Sequence, residues 1–228
     1  MSRTGANRKK ILRSDYLAGS DYTKNQSAAN PLIPVCAALY CVFVFRDMFV
    51  PDFYNDCLKY TFMTLIIISS ALSGDFLLAL AECAILPADY FLLFTEQYET
   101  GVLFFSAAMY IFILRHSSNT HQKVYPLLFL AISAANKTGV PSVYLIYACL
   151  FYYHVFILAV NKLYRLIPAF TVFALCDICV ALNYISPDPT VRYLIWILYG
   201  MSQLLIVTCA TVTQLRCTPR RFPYLRTR

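Results

Sequence analysis

The chain has 228 residues, of which 59% are apolar, 16% aromatic and only 14% charged. This composition excludes a disordered chain, and it falls well below the quarter or so of charged residues usual in soluble domains. Net charge is +7 and the mean hydropathy is +0.58, with basic residues crowded at the two ends.

Residues 1–30 read as a polar, basic tail carrying Arg3, Arg8, Lys9, Lys10, Arg13 and Lys24, with no apolar core of a leader peptide. A spanning helix needs about 20 mostly apolar residues. Seven stretches meet or approach this, at about 31–50, 60–81, 99–115, 124–135, 140–160, 166–185 and 191–215. Pro31 and Pro34 suit the start of the first span. Cys83–Phe94 is shorter and is interrupted by Pro87-Ala88-Asp89, so it reads as an interfacial segment, with an eighth span as the alternative. Pro187 and Pro189 bracket Asp188 in a turn between the last two spans. Residues 216–228 form a second basic tail with Arg216, Arg220, Arg221, Arg226 and Arg228. The expected architecture is all-α: a polytopic transmembrane helical bundle over residues 31–215, with seven spans and eight as the alternative. Beside apolar spans, such tails read as topology signals and not as nucleic-acid-binding arms. Counting positive charges puts the C-terminus in the cytoplasm for either span count.

Carboxylates within spans stand out, because each costs about 2.5–3.5 kcal/mol on insertion scales. Asp75 lies in Ser-Gly-Asp-Phe-Leu-Leu, late in the second span, and Asp177 lies in Cys-Asp-Ile-Cys-Val-Ala-Leu-Asn, mid-way along the sixth. Facing one cavity, they would suit general acid and general base roles; apart, they read as polar links between helices. His154 among aromatics reads as a packing residue. Asn183, Tyr199, Gln203 and Tyr110 read individually as interhelical polar contacts. Cys176-Asp177-Ile178-Cys179 lacks the second ligand pair that a metal site needs. The cysteines lie mostly in apolar runs, where they act as small hydrophobes and not as a disulfide framework.

Four of these stretches together resemble the lysoplasmalogenase (YhhN-like) membrane proteins: Ser73-Gly74-Asp75 with Phe76-Leu77-Leu78, Gly101–Phe105 with the helix that follows, Asp177 with Ala181-Leu182-Asn183 and the proline turn, and Tyr199 followed by Gln203. The similarity runs from about residue 30 to 210. It implies about eight helices around a lipid-binding cavity, and hydrolysis of the vinyl ether of lysoplasmalogens to a fatty aldehyde and a glycerophospho-alcohol. It implies Asp75 and Asp177 as the catalytic pair, Asn183, Tyr199, Gln203 and Tyr110 as substrate contacts, and no metal or organic cofactor. The implied partners are a lysophospholipid substrate and the bilayer, with no nucleic acid; a homodimer is an admissible assembly. The implied setting is the endoplasmic reticulum or another endomembrane. Two positions depart from the family pattern, Asn30 where it places a lysine and Met109 where it places a histidine. These departures motivate an alternative of another class, a lipid-binding or scaffolding relative without catalysis.

Overall fold

The computed structural model describes residues 30–50, 53–95, 97–128 and 142–217. Both tails up to Ala29 and from Thr218, the Asn25 and Asn136 sequons and half of the expected run at 124–135 lie outside the described residues. Among the described residues every regular element is helical: α1 (Leu32–Phe49), α2 (Phe53–Leu72), α3 (Phe76–Tyr90) continued by a π turn (Phe91–Thr95), α4 (Tyr98–His116), the short α5 (Thr120–Val124), α6 (Ser142–Val160), α7 (Ile167–Ile185) and α8 (Pro189–Cys217). Five of them are long and apolar enough to cross a bilayer: α1, α4, α6, α7 and the Pro189–Ala210 part of α8. The protein is therefore an all-helical, multi-pass integral membrane bundle.

The helices form a closed ring. Each of α1, α2, α3 and α4 packs on the next, α4 packs on α6, α6 on α7 and α7 on α8, and α8 returns to α1 and α2. Inside lie aromatic side chains, with Phe112 edge-on to Phe170 at 5.3 Å and Phe105, Phe151 and Phe173 about 6.0 Å apart in two further pairs. Lipid tails are as apolar as this core, so the fit of these rings and the polar contacts among helices hold the bundle, not the removal of apolar surface from water. The outside is greasy. Phe45, Phe49, Leu72, Phe76, Tyr152, Phe156 and Ile185 are all more than half exposed, a surface that suits acyl chains.

One break differs from the expected span at 60–81. Helix α2 stops at Leu72, Gly74 takes φ +77°, and Asp75 caps α3 by accepting the Leu78 amide at 3.1 Å. Glycine enters the left-handed region without strain and aspartate is a favoured N-cap, so Ser73-Gly74-Asp75 reverses the chain inside an apolar run. Helix α3 then absorbs both the end of the expected second span and Cys83–Phe94, with Pro87 inside the helix. Buried neighbours re-satisfy the backbone groups a proline frees, which is why membrane helices tolerate it. The chain reverses again before α4, so α3 and α4 form a close antiparallel pair.

Candidate functional site

The bundle has two ends. Arg115, in the last turn of α4, meets Asp75 at the start of α3, and Asn161, just after α6, donates to the His116 carbonyl at 2.7 Å. These groups define the near end, where α2, α4 and α6 finish and α3 and α7 begin. Asp47, Asn55, Asp56 and Lys59, near the α1–α2 connection, define the far end.

Two carboxylates sit wholly inside. Glu82 and Asp89 are seven residues apart in α3, on one face of the helix, and are 0% and 4% exposed. Asp89 Oδ2 accepts the Tyr199 hydroxyl of α8 at 2.6 Å. Both Glu82 oxygens are buried with no hydrogen-bond partner in the protein. Gln203, one turn beyond Tyr199 on the same face of α8, is fully buried with both amide atoms equally unpartnered. Since α3 and α8 run in opposite directions, Glu82 and Gln203 both lie on the near-end side of the Asp89–Tyr199 bond. Tyr199 lies within electrostatic reach of both carboxylates. A buried polar group without a partner costs about 1–3 kcal/mol. Glu82 and Gln203 together thus carry a polar demand that a bound molecule or water would meet.

Asp177, half-buried, belongs to a second pair, between α6 and α7. Its Oδ2 accepts the Tyr147 hydroxyl of α6 at 2.6 Å. Cys176, its neighbour in sequence, lies within electrostatic reach of both Asp177 and Asp89. Asp177 is ten residues into α7, about 15 Å of helical rise from the near end. Asp75 stays at that end, held by two contacts to one oxygen, Arg115 Nη2 at 2.6 Å and Nε at 2.8 Å. The structure therefore does not bring Asp75 and Asp177 to one point; each has its own partner at its own depth. Asp75 is also a turn residue and not the late-span residue expected from hydropathy.

Of the other expected contacts, Tyr199 and Gln203 do face the interior. Asn183 does not: it lies at the end of α7, where its Oδ1 accepts the Asp188 amide at 3.2 Å. Tyr110 is half-buried and points its hydroxyl at the Lys123 carbonyl, 3.4 Å away near α5. Met109 is fully buried in α4, and His154 is fully buried in α6. In the exposed turn before α8, the Thr190 and Val191 amides bond Asp188 Oδ1 and hold its carboxyl below the usual range.

At the far end, Lys59 is 1% exposed yet fully satisfied. Its ammonium reaches Asp47 at 2.9 Å and Asp56 at 3.2 Å, and it stands 4.3 Å over the Trp196 ring. Asn55 also donates to Asp47. Trp196 in turn packs edge-on against Tyr199 at 5.8 Å, so this clamp adjoins the carboxylate site.

Sequence reasoning missed Glu82 as a functional candidate and treated Asp89 only as an interruption. Their spacing of seven, on one face of a helix, was the available signal. Comparison with protein-family models, with curated proteins and with solved structures returns no match.

Proposed function

We propose that the protein is a membrane-embedded hydrolase of the vinyl ether bond of lysoplasmalogens, with Glu82 and Asp89 as its central acid and base. The observation that carries this reading is the pair of buried carboxylates on one face of α3, opposite Tyr199 and an unpartnered Gln203. The resemblance to lysoplasmalogenases supplies the bond; the interior supplies chemistry suited to it. A vinyl ether opens when a carboxylic acid protonates its outer alkene carbon. The adjacent carbon then carries oxocarbenium character, which a carboxylate close by stabilises in a water-poor site. Water adds to that carbon and gives its proton to the carboxylate, restoring the acid. The hemiacetal formed collapses to a fatty aldehyde and a glycerophospho-alcohol, consuming one water in all.

In this scheme Tyr199 holds Asp89 in place, and the Gln203 amide supplies one donor and one acceptor for water or a glycerol oxygen. Asp177, bonded by Tyr147, is a further half-buried carboxylate between α6 and α7. Asp75 acts from the near end through Arg115. Replacing one catalytic acid or base group lowers a rate by about 10²–10⁴-fold. Glu82→Gln and Asp89→Asn should each do so in an aldehyde-release assay on the purified protein, with the variants remaining folded; Asp177→Asn should also lose most turnover. Wild-type turnover in both α3 variants would overturn their assignment. Absence of aldehyde from the wild type at any lysoplasmalogen head group would favour the lipid-binding alternative. That alternative draws on the buried Met109, a residue that moves no proton.

We also infer eight crossings of an endomembrane such as that of the endoplasmic reticulum, with both chain ends on its cytoplasmic side. Supporting this count, α4 and α6 lie side by side and parallel. Phe105 faces Tyr147, Phe112 faces His154, and His116 meets Asn161. The chain from His116 to Ser142 therefore links opposite ends of the bundle, which calls for one further crossing. Together with α3 as a separate crossing, this makes the total even.

A further inference from the structure

A line of polar groups leads from the near end into the core, and none of its inner members takes part in the chemistry above. Asp75 holds Arg115 through Nε and Nη2. Arg115 Nη1 contacts His116 Nε2. His116 Nδ1 lies 2.8 Å from His154 Nε2. His154 Nδ1 is buried, has no partner in the protein, and belongs to a fully buried residue.

Arginine fixes the hydrogens along this line. A guanidinium can only donate, so His116 Nε2 must accept and its hydrogen must sit on Nδ1. Nδ1 of His116 then donates to His154 Nε2, and the single hydrogen of a neutral His154 is left on Nδ1. Phe112 stacks on the His154 ring at 5.7 Å and Phe170 meets it edge-on at 4.4 Å, so the ring cannot turn to choose another arrangement. A guanidinium keeps its protons, so the outer end of the line is closed to proton entry. It works as a lock on tautomers and not as a proton wire.

We propose that Asp75, Arg115 and His116 are positioning residues that lock His154 with an Nδ1–H donor facing the bundle interior, and that this donor binds an oxygen of the polar part of a lysophospholipid. The identity of the lipid rests on the hydrolase reading; the lock does not. The Asp75–Arg115 pair supplies no net charge, while the aligned Arg→His→His bonds strengthen the terminal donor, since hydrogen bonds in a chain polarise one another. An oxygen acceptor is the chemistry that such a donor lacks.

The chain has three histidines, and the third, His121, is exposed on α5 and serves as an internal reference. The test is two-bond ¹H–¹⁵N correlation of the histidine-labelled full chain in lipid nanodiscs. The expected result is hydrogen on Nδ1 of both His116 and His154. Hydrogen on Nε2 of His154, or averaging between tautomers, would overturn the lock. Arg115→Met should release both rings into averaging, because methionine donates nothing. A saturated 1-O-alkyl lysophospholipid, which has no vinyl ether to protonate, is then added as probe. It should shift the His154 Nδ1 signal; an unchanged signal means that internal water alone fills the site and overturns the binding role.

Kinetics give a second reading. His154→Phe should raise KM for lysoplasmalogen about five- to tenfold, the loss expected for one hydrogen bond. His154→Asn, which keeps a donor near the Nδ1 position, should recover most of that loss; equal KM for wild type and the Phe variant would overturn the donor role. The two readings fail separately. A locked, lipid-shifted His154 in a protein that releases no aldehyde retires the hydrolase alone, and aldehyde release with an unlocked His154 retires the tautomer lock alone.

Discussion

Tyr199 gives its only hydroxyl hydrogen to Asp89 in a place where water does not compete. Tyr199→Phe keeps the ring and deletes that donor, leaving a buried carboxyl unsatisfied at a cost of about 1–3 kcal/mol. The thermal midpoint in detergent should fall, and Asp89→Asn should change little when added on top, because the two share one bond. Additive losses would mean that the bond contributes nothing. Lys59 poses the same question with a full charge. Removing one partner from a buried ion pair costs about 3–5 kcal/mol, so Lys59→Met should destabilise strongly, and Asp47→Asn should recover part of the loss. A Lys59→Met protein as stable as wild type would show that the Trp196 and aspartate contacts are not needed. At this scale the sequence exposes residue type but not neighbourhood. Tyr199 and Gln203 were legible as polar residues of the last span, each read on its own as an interhelical contact. The pairing of Asp177 with Tyr147 and of Asp75 with Arg115 was not, since each joins helices that are 30 and 40 residues apart in the chain.

The boundary between α2 and α3 shows what hydropathy hides in an element. Apolar residues run on both sides of Ser73-Gly74-Asp75, so a window average continues through the turn. The turn chemistry was nonetheless written there, as a residue suited to positive φ followed by an N-cap. Pro87 misled in the other direction, because a breaker in water is an ordinary member of a membrane helix. Helix spacing also depends on small residues. A Cβ at Gly200 of α8 would collide with the Tyr40 ring of α1 and approach Phe43 Cζ to 3.3 Å. Tyr40 cannot swing away freely, since its hydroxyl donates to the Ile197 carbonyl at 2.7 Å. Overpacking a tight contact costs about 1–3 kcal/mol, so Gly200→Ala should lower the thermal midpoint. Tyr40→Leu, which removes the colliding ring, should reverse much of that effect when the two are combined. If Gly200→Ala is neutral, α1 and α8 are not seated against each other as described.

For the molecule as a whole, the ring of helices decides how charge is shared between the two faces. On the eight-crossing proposal, α3 is its own crossing and a further one lies between α4 and α6, so that α1 starts where α8 ends. The near end, with Lys123, Lys162 and Arg165, would then be cytoplasmic, and so would the two basic tails of the sequence. The far end carries Asp47, Asp56, Glu99 and Asp188 beside Arg46, Lys59 and Arg192, so it has no excess of positive charge. Basic residues favour the cytoplasmic side, and this division follows that preference at both ends of the chain, which a seven-crossing count cannot do. The run at 124–135 was legible as apolar but short. The proposed crossing between α4 and α6 rests on their parallel packing, a long-range fact that no window of sequence contains.

The two sequons turn this into a measurement. Asn25-Gln26-Ser27 precedes α1 and Asn136-Lys137-Thr138 lies between α4 and α6, so eight crossings assign them to opposite sides of the membrane. Both stand too close to apolar segments for a fair native test, so each needs a polar spacer between it and the nearest span. In a eukaryotic host the spacer variant at Asn136 should gain a glycan, removable by endoglycosidase, and the variant at Asn25 should remain unmodified. The sign follows from the proposed topology, in which a cytoplasmic near end would make the connection carrying Asn136 lumenal. A glycan at Asn25 would put the N-terminus in the lumen and leave seven crossings as the count consistent with a cytoplasmic C-terminus. It would also remove the charge argument, since six basic residues would then lie on the wrong side.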